Sequence, residues 1–418
     1  MERYSEYKDS GVKWLGEIPS HWTTPRINQI GRYINGYAFK PKDWSNNGKP
    51  IIRIQDLTGS NDNPNYYDGY LDKKYLVKRG DVLVSWAATL DAYIWGKEDG
   101  WLNQHIFKAI PLRDINKSFF LWLLKVAMQN LDNDNKHGIM MQHLTAVVFN
   151  HFRVPLPSAD EQKAIASYLD VTSSKIDNAI AQQQKMIDLL NERKQIIINN
   201  AVTKGLNPNV KMKTSGVDWI GDIPEHWALK RGKYLFKIIN DLSKTGKEEL
   251  LSVSDKTSVT PRSMKNVTMF MAESLVGYKR CQVGDICSNI MWMWHGAVGV
   301  TRYNGVISPS YAVYRQIKNS FLNDYLDLLL RIPKLVKFYS VLSTGLTESR
   351  LRLYPSDFLN IVFFVPPIQE QKMIMEYIST KCNPIDAALQ AAERQITLLQ
   401  ERKKIIINDV VTGKVKVV

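Results

Sequence analysis

The sequence predicts an α+β protein with a pseudo-two-fold internal repeat: two mixed domains and two long helices that form an antiparallel coiled coil. Three observations lead to this prediction. Residues 10–22 recur as residues 215–227, residues 191–203 recur as residues 400–412, and the stretches between these blocks differ strongly between the two copies. Because 418 residues exceed what one hydrophobic core usually organises, we expect the copies to fold as separate domains.

Composition narrows the class of protein. The chain has 55 Lys and Arg against 41 Asp and Glu, and this net charge of +14 is typical of a protein that binds a polyanion such as nucleic acid. No apolar run is long enough to span a bilayer, and no secretory signal opens the chain. The three cysteines show neither metal-ligand spacing nor a disulfide framework, so we expect a cytoplasmic protein.

Each copy opens with the element Gly-x-Ile-Pro-x-His-Trp. Gly and Pro predict a turn in each copy. Two tryptophans in each copy are expected to pin that turn to the domain that follows: Trp14 and Trp22, then Trp219 and Trp227. Lone histidines are rarely catalytic, so we interpret His21 and His226 as structural.

A mixed region follows in each copy, at residues 23–157 and 228–366. Short β-branched and aromatic runs bounded by Gly, Asp and Asn predict strands at 50–54, 81–86 and 285–290. Longer apolar patterns predict helices at 119–131 and 321–330. Together these patterns indicate a compact α+β domain in each copy.

The second repeated block predicts helices. Ser158 and Glu161 have the spacing of a capping box, which predicts a short helix to about Asp170. A second helix is expected to begin at Ser174, and at Asn383-Pro384 in the other copy. Gly205 and Pro208 predict the end of the first copy's helix.

An apolar stripe with a period of about 3.5 residues predicts that these second helices pair as a coiled coil. Its members in the two copies are Ile176, Ile180, Ile187, Leu190 and Ile197, then Ile385, Leu389, Ile396, Leu399 and Ile406. About 30 helical residues make a rod of about 45 Å with a mixed domain expected at each end. Gln183, Lys194 and Lys403 interrupt the stripe, either to set the register or to meet a partner, or simply as solvated positions.

The sequence contains no catalytic motif that we can defend. A phosphate-binding loop, a glycine-rich dinucleotide turn and the Asn-Pro-Pro-aromatic motif of amino-methyltransferases are all missing. Glu161-Gln-Lys163 and Glu370-Gln-Lys372 resemble half of a nuclease motif, but helix capping explains these glutamates better. His137, His143 and His151 lack partners at metal-ligand spacing. We therefore predict no catalytic residue, no metal site and no cofactor in this chain.

Basic residues interleaved with aromatics and amides favour DNA as the polyanion. Lys and Arg neutralise phosphates, while Arg, Asn and Gln pair with the edges of guanine and adenine. The predicted DNA-binding residues of the first domain are Arg53, Gln55, Lys73, Lys74, Lys78, Arg79, Asn103, Gln104 and His105. Those of the second domain are Lys256, Arg262, Lys265, Lys279, Arg280, Trp294, His295, Arg302 and Tyr303. Two different readers held apart by a rod would read two half-sites about one DNA turn apart.

Over nearly its full length the chain resembles the specificity subunit of type I restriction-modification systems. The residues that carry the resemblance are the Gly-x-Ile-Pro openings followed by His-Trp, the exits Val154-Pro-Leu-Pro157 and Val365-Pro-Pro367, the Glu-Gln-Lys starts, and the paired Glu-Arg-Lys-x-Ile-Ile-Ile-Asn helix ends. Before the exits, Leu144, Phe149 and Phe152 align with Leu353, Phe358 and Ile361.

The resemblance implies a non-catalytic DNA reader. Target-recognition domains would occupy residues 1–157 and 207–366, and helical spacer regions 158–206 and 367–418. The helices would dock two modification subunits that methylate adenine, and restriction subunits would join them. S-adenosylmethionine, ATP and Mg²⁺ are implied only for those partners. Two alternatives stay open: a stand-alone tandem DNA-binding regulator, and a nuclease that uses Glu161 and Glu370.

Overall fold

The chain forms two compact units, each containing one mixed domain and segments of both long helices. The computed structural model describes residues 2–60, 63–87, 89–136, 146–265, 274–347 and 350–417, with backbone alone at 132–136, 146 and 147. One unit comprises Met1–Gln184 with Glu393–Val418, and the other comprises Lys185–Ala392. Leu144, His137 and His143 lie outside the described residues.

The first unit contains ten strands and three shorter helices within the described residues. The strands are β1 (Tyr7–Asp9), β2 (Glu17–Pro19), β3 (Gly31–Asn35), β4 (Lys49–Ile52), β5 (Tyr66–Tyr67), β6 (Leu76–Val77), β7 (Val82–Ser85), β8 (Asp91–Ile94), β9 (Gly100–Leu102) and β10 (Ile106–Pro111). The helices are α1 (Ile54–Thr58), α2 (Lys117–Lys136) and α3 (Ala146–His151), and the unit also contains the start of α4 (Ala159–Lys204).

Two four-stranded sheets organise this unit. One is antiparallel with the order β3-β10-β7-β8, and the other has the order β5-β4-β9-β6. In the second sheet β4 and β9 run parallel, with Ile51 opposite Trp101 and Ile52 opposite Leu102. The predicted strand at 50–54 is therefore two residues too long, because the chain turns into α1 after Ile52.

The second unit contains twelve strands within the described residues. They are β11 (Met212–Thr214), β12 (Asp222–Pro224), β13 (Ala228–Arg231), β14 (Phe236–Ile239), β15 (Leu251–Ser254), β16 (Ser258–Pro261), β17 (Lys279–Cys281), β18 (Ile286–Ser288), β19 (Val298–Val300), β20 (Gly305–Ile307), β21 (Ala312–Gln316) and β22 (Val362–Val365). Its helices are α5 (Asn323–Leu330), α6 (Pro333–Leu342), α7 (Pro355–Asn360) and much of α8 (Ile368–Val411).

The internal repeat is visible in the strand order. The second unit has an antiparallel sheet β14-β21-β18-β19, which matches β3-β10-β7-β8 of the first unit strand for strand. The opening elements also match, since β1 pairs with β2 and β11 pairs with β12 in the same antiparallel way. The prediction of a repeated α+β fold is confirmed.

The tryptophans of the opening element pack as predicted. Trp22 and Trp227 are fully buried, and Trp219 is 5% exposed. Trp14 stacks on Phe152 with ring centroids 5.3 Å apart, and its indole N–H donates to the Arg153 carbonyl. The indoles therefore join the opening turn to the end of the mixed domain.

The long helices differ from the prediction, because each continues without a break through the position where a second helix was expected to begin. α4 runs for 46 residues through Ser174, and α8 runs for 44 residues with Pro384 inside it. Proline forfeits one helical hydrogen bond, and serine favours a cap. Buried residues on both sides of these positions, such as Ser173 with Ile176 and Cys382 with Ile385, show why the helix continues. Packing of one face outweighs the local preference to break.

The two long helices contact each other in each unit. Lys403 Nζ lies 2.6 Å from an oxygen of Asp177 in the first unit, and Lys194 Nζ lies 2.5 Å from Asp386 Oδ1 in the second unit. Among the predicted seam residues, Ile176, Ile187, Ile385 and Ile406 are buried and the rest are half-buried: Ile180, Leu190, Ile197, Leu389, Ile396 and Leu399. No described helix is long and apolar enough to cross a membrane.

Candidate nucleic-acid interface

A polar cleft of about 490 Å³ lies on the mixed domain of the first unit. The parallel pairing of β4 with β9 creates it, because residues that follow two parallel strands leave the sheet at the same edge. The chain after β4 supplies residues 53–55, and the chain after β9 supplies residues 103–105. Five of the predicted DNA-binding residues therefore line one cleft, together with Phe39, Thr58, Ser60 and Thr89: Arg53, Gln55, Asn103, Gln104 and His105.

Arg53 is held at this cleft by its backbone and by an aromatic ring. Its amide N–H donates to Asp56 Oδ2 at 2.8 Å, which fixes the residue at the start of α1. The guanidinium carbon lies 4.8 Å from the centre of the Trp44 ring, and Trp44 is 45% exposed. A guanidinium stacked in this way keeps its in-plane N–H groups available. Trp44 was not predicted from the sequence, although an aromatic residue near an arginine was a usable signal.

The chain after β9 contributes two amides to the cleft. Asn103 is 6% exposed, and its side-chain oxygen accepts from the His105 backbone N–H at 3.3 Å. Gln104 places its amide nitrogen 3.3 Å from His105 Nε2, while its side-chain oxygen is buried without a hydrogen-bond partner among the described residues. A buried acceptor without a donor costs free energy until a ligand supplies one.

Four further predicted cations of the first unit are exposed: Lys73, Lys74, Lys78 and Arg79. Lys74 pairs with Asp72 at 3.4 Å and lies over the Tyr75 ring. Tyr75 packs edge-on against Tyr37, which in turn contacts Phe39 in the wall of the cleft. An aromatic row thus connects the Lys73–Tyr75 turn with the cleft.

In the second unit the predicted residues occupy different elements. Lys256 is exposed in the turn between β15 and β16, where Ser258 adopts φ = 57°. The Ser258 hydroxyl donates to Asp327 Oδ1 at 2.6 Å, and Arg331 donates to the carbonyl of Lys256 at 3.1 Å. These bonds hold the hairpin turn against α5, so the lysine is presented by a fixed backbone.

Several other cations of this unit already have protein partners. Lys265 Nζ donates to the Ser252 hydroxyl at 3.3 Å, and Lys279 Nζ donates to the Tyr311 carbonyl at 2.5 Å. Burial lowers the pKa of both ammonium groups. Arg280 lies 3.6 Å from Asp241 and from Glu248. Arg302 pairs with Asp324 at 2.8 Å but stays 74% exposed, while Arg262 and Tyr303 are half-buried.

A ladder of aromatic rings projects from the turn around Met293–His295. Trp292 is 55% exposed and stacks on Trp294 with ring centroids 6.0 Å apart and an angle of 16°. His295 is exposed and lies 4.5 Å from the Trp294 ring. Trp294 is anchored, because its indole N–H donates to the Met291 carbonyl at 2.9 Å. Such rings can stack on the face of a base.

The repeated motifs meet in each unit through one glutamate. Glu161 Oε1 accepts from the Trp22 indole at 3.2 Å and lies 3.0 Å from His21 Nε2. In the second unit Glu370 Oε2 contacts Trp227 at 2.9 Å and His226 at 2.8 Å. Glu161 Oε2 also accepts from Ser158 N–H at 3.1 Å, which confirms the capping box. The contact between the opening element and the Glu-Gln-Lys element was not predicted from the sequence.

The glutamines beside these glutamates add a second junction. Gln162 accepts from the Asn116 N–H at 2.9 Å and donates to the Pro157 carbonyl at 3.1 Å. Gln371 likewise accepts from Leu322 N–H and donates to the carbonyls of Ser320 and Pro366. Each Glu-Gln pair is thus a structural connector between helix start and mixed domain. No group of three or more His, Cys, Asp or Glu within the described part of the chain could hold a metal ion.

Each long helix also carries an outward apolar pair. Leu189 and Ile196 are 56% and 51% exposed, and their counterparts Leu398 and Ile405 are 64% and 59% exposed. Residues seven apart lie on nearly the same side of a helix. The apolar stripe predicted the inner seam but not this outer pair, although the pair recurs at the shift of 209.

Comparison with known proteins gives one consistent family. A family model described as the type I restriction modification DNA specificity domain matches residues 19–187. The EcoBI type I restriction enzyme specificity subunit of Escherichia coli is 29% identical over 230 residues, which cover 53% of this chain and 48% of that protein. The MjaVIII specificity subunit of Methanocaldococcus jannaschii is 24% identical over 450 aligned positions, which cover 98% of this chain and 97% of that protein.

The fold agrees with these sequence matches. A chain from a solved structure that concerns complex assembly and conformational transition of the type I R-M system has a TM-score of 0.66 at 13% identity, covering 95% of this chain and 99% of that chain. The strand order that recurs in the two units is consistent with the sequence matches over nearly the full chain. Residues 19–187 thus match the type I restriction modification DNA specificity domain, and the chain is similar to type I restriction enzyme specificity subunits.

Proposed function

We propose that this chain is the non-catalytic DNA reader that gives a type I restriction-modification complex its sequence specificity. Each mixed domain reads one half of a bipartite, asymmetric DNA site. The observation that carries this proposal is a repeated framework with two different polar surfaces. The first unit has an amide-lined cleft, and the second unit has an aromatic ladder and a fixed basic hairpin.

The domain boundaries are part of the proposal. Residues 1–157 and 207–366 are the two target-recognition domains, and residues 158–206 and 367–418 are the helical spacer regions. Their support is the position of the helix starts, since α4 begins at Ala159 and α8 begins at Ile368.

We assign two kinds of DNA contact to the predicted residues. Exposed cations neutralise phosphates and set the orientation on the duplex, whereas amides, arginines and aromatics in the cleft and the ladder distinguish bases. The exposed cations include Lys73, Lys78, Arg79 and Lys256. Lys265 and Lys279 are half-buried and contribute positive potential rather than a direct phosphate contact, because their ammonium groups already bind protein oxygens.

The long helices have two further proposed roles. Their seam, including Lys194 and Lys403, sets the spacing of the two readers through a fixed antiparallel register. Their outward pairs, Leu189 with Ile196 and Leu398 with Ile405, dock one modification subunit each. Two identical partner subunits would each need an equivalent apolar docking site, and the exposed apolar pairs provide one in each copy.

Catalysis belongs to the partners in this proposal. Two modification subunits bring S-adenosylmethionine and methylate adenine, and restriction subunits bring ATP- and Mg²⁺-dependent cleavage. The carboxylates of Glu161 and Glu370 are engaged by histidine and tryptophan side chains, which supports a structural role for them rather than a nuclease. The complex works on chromosomal and incoming DNA in the cytoplasm.

Methylome sequencing tests the proposal. Deleting the gene from the native host should abolish adenine methylation at one bipartite motif, and the wild-type gene should restore it. If no motif changes while the purified chain alone binds a specific duplex, the stand-alone regulator is the correct function. Metal-dependent DNA cutting by the pure chain that is lost in E161Q and E370Q would instead establish a nuclease.

A further inference from the structure

The cleft of the first unit has the chemistry of a base-pair reader rather than of a phosphate site. We infer that it reads a G·C pair of the half-site bound by the first domain. The Arg53 guanidinium would donate to guanine O6 and N7, and Gln104 would accept from the amine of the paired cytosine. This inference rests on the proposed function and specifies one base pair within it.

Arg53 offers donors that the protein leaves available. No carboxylate of the described residues forms an ion pair with its guanidinium, which stacks on Trp44 at 4.8 Å. Stacking and the backbone bond to Asp56 restrict the direction in which the guanidinium points. A planar guanidinium with available N–H groups matches the paired acceptors O6 and N7 of guanine in the major groove.

Gln104 offers the complementary acceptor in the same cleft. Its side-chain oxygen is buried and lacks a donor among the described residues. In the major groove a G·C pair presents two acceptors on guanine beside one donor on cytosine N4. A cleft lined by a donor pair and by an unpaired acceptor is complementary to that pattern. An A·T pair instead presents an adenine amine between N7 and the thymine carbonyl.

A phosphate fits this cleft less well. Phosphate oxygens only accept hydrogen bonds, so a phosphate bound to Arg53 would leave the buried Gln104 oxygen without a donor. Arginine alone binds phosphate and guanine alike, and the acceptor beside it distinguishes the two ligands.

The test uses the complete complex with the modification subunits and three variants of this chain: R53A, R53K and Q104A. Each is expressed in a host lacking other adenine methyltransferases, and the methylated motif is read by sequencing. R53A and R53K should both relax one G·C position of one half-site, with discrimination against other bases falling about 5- to 150-fold. Q104A should relax the same position, and the other half-site should stay unchanged.

R53K is the decisive control because lysine retains the charge but loses the planar fork. If R53A lowers methylation at all sites uniformly while R53K restores it with an unchanged motif, Arg53 binds phosphate and the inference is wrong. An unchanged motif in all three variants also overturns it. Failure of the proposed function is distinguishable, because the wild-type complex would then show no bipartite motif. Equal thermal unfolding of variants and wild type checks that the domain is intact.

Discussion

At the scale of single residues, Glu161 joins two distant motifs. Burial by itself would raise the pKa of this carboxyl group, but hydrogen bonds from His21, Ser158 and Trp22 outweigh it and hold the pKa at about 2. The charged form is therefore bound more strongly in the folded chain than in the unfolded one. An exposed histidine, a buried tryptophan and a helix cap all depend on this one carboxylate.

We predict a pH-dependent loss of stability in E161Q. The folded pKa lies below the ordinary value of 4.5, so the stabilisation is complete above pH 4.5 and is lost as the pH falls towards 2. E161Q should unfold more easily than wild type by roughly 2 kcal/mol at pH 7, and the difference should shrink below pH 4.5. Urea unfolding at several pH values measures this difference. D160N, a change at a 95% exposed side chain in the same helical turn, is the control and should leave stability unchanged.

At the scale of elements, the two long helices owe their register to buried apolar residues and to cross-helix ion pairs. The Lys403–Asp177 and Lys194–Asp386 pairs are counterparts in the repeat, because lysine and aspartate both recur at a shift of 209. Exposed ion pairs contribute little to stability, so we assign these pairs to register. The lysines that interrupt the apolar stripe therefore have defined partners.

Lengthening both helices should change the DNA gap. Four residues inserted in α4 between Asp177 and Lys194, and four in α8 between Asp386 and Lys403, preserve both ion pairs. The insertion adds about 6 Å and turns each helix by about 400°, close to one full turn. We expect the methylated motif to keep both half-sites with a gap longer by one or two base pairs, as read by methylome sequencing.

Insertion in α4 alone should disrupt the register and lower thermal stability. A lengthened pair with an unchanged gap would refute the spacer role.

The outward apolar pairs make a separate prediction. L189A/I196A should remove one modification subunit from the assembled complex, and L398A/I405A should remove the other, because each pair loses its exposed apolar area. Native mass spectrometry of the complex measures the stoichiometry. N191A alters an exposed residue about 200° around the helix from Leu189 and is the matched control. Retention of two modification subunits by all variants would exclude this face as the docking surface.

At the scale of the whole molecule, one framework carries two unlike surfaces. Both units have the same four-strand order and the same Glu-His-Trp junction. In the first unit β9 runs parallel to β4, and this pairing opens the amide-lined cleft, whereas the second unit has an isolated parallel bridge between Leu250 and Val306. The difference lies in the connections, which is where binding residues are usually found.

Exchange of one mixed domain tests independence of the readers. Replacing residues 23–157 with the corresponding segment of another family member should change one half-site and leave the other half-site and the gap intact. The physical reason is that the junction residues Trp22 and Glu161 lie outside the exchanged segment, so the framework is retained. The methylated motif of the hybrid complex shows the result. Changes at both half-sites would mean that the domains do not read independently.

Much of the architecture was predictable from local pattern. Repetition of short, closely similar blocks predicted two copies, and the 3.5-residue stripe predicted the paired helices, because these signals depend on sequence spacing alone. Continuity of α4 and α8 through Ser174 and Pro384 was not predictable in this way, since packing against another element overrode the local signals. The five residues of the cleft were each predicted to bind DNA, but the sequence did not predict that they line the same cleft.

The sequence by itself determined the repeat, the α+β class, the basic charge and the resemblance to type I specificity subunits. Tertiary structure alone decided that residues after β4 and β9 meet in one cleft, that Trp44 supports Arg53, and that Glu161 binds His21 and Trp22. The physical reason is that periodicity and charge are properties of neighbouring residues along the chain. The contacts of Trp44 with Arg53 and of His21 with Glu161 instead join residues nine and 140 positions apart, and only the folded chain brings them together.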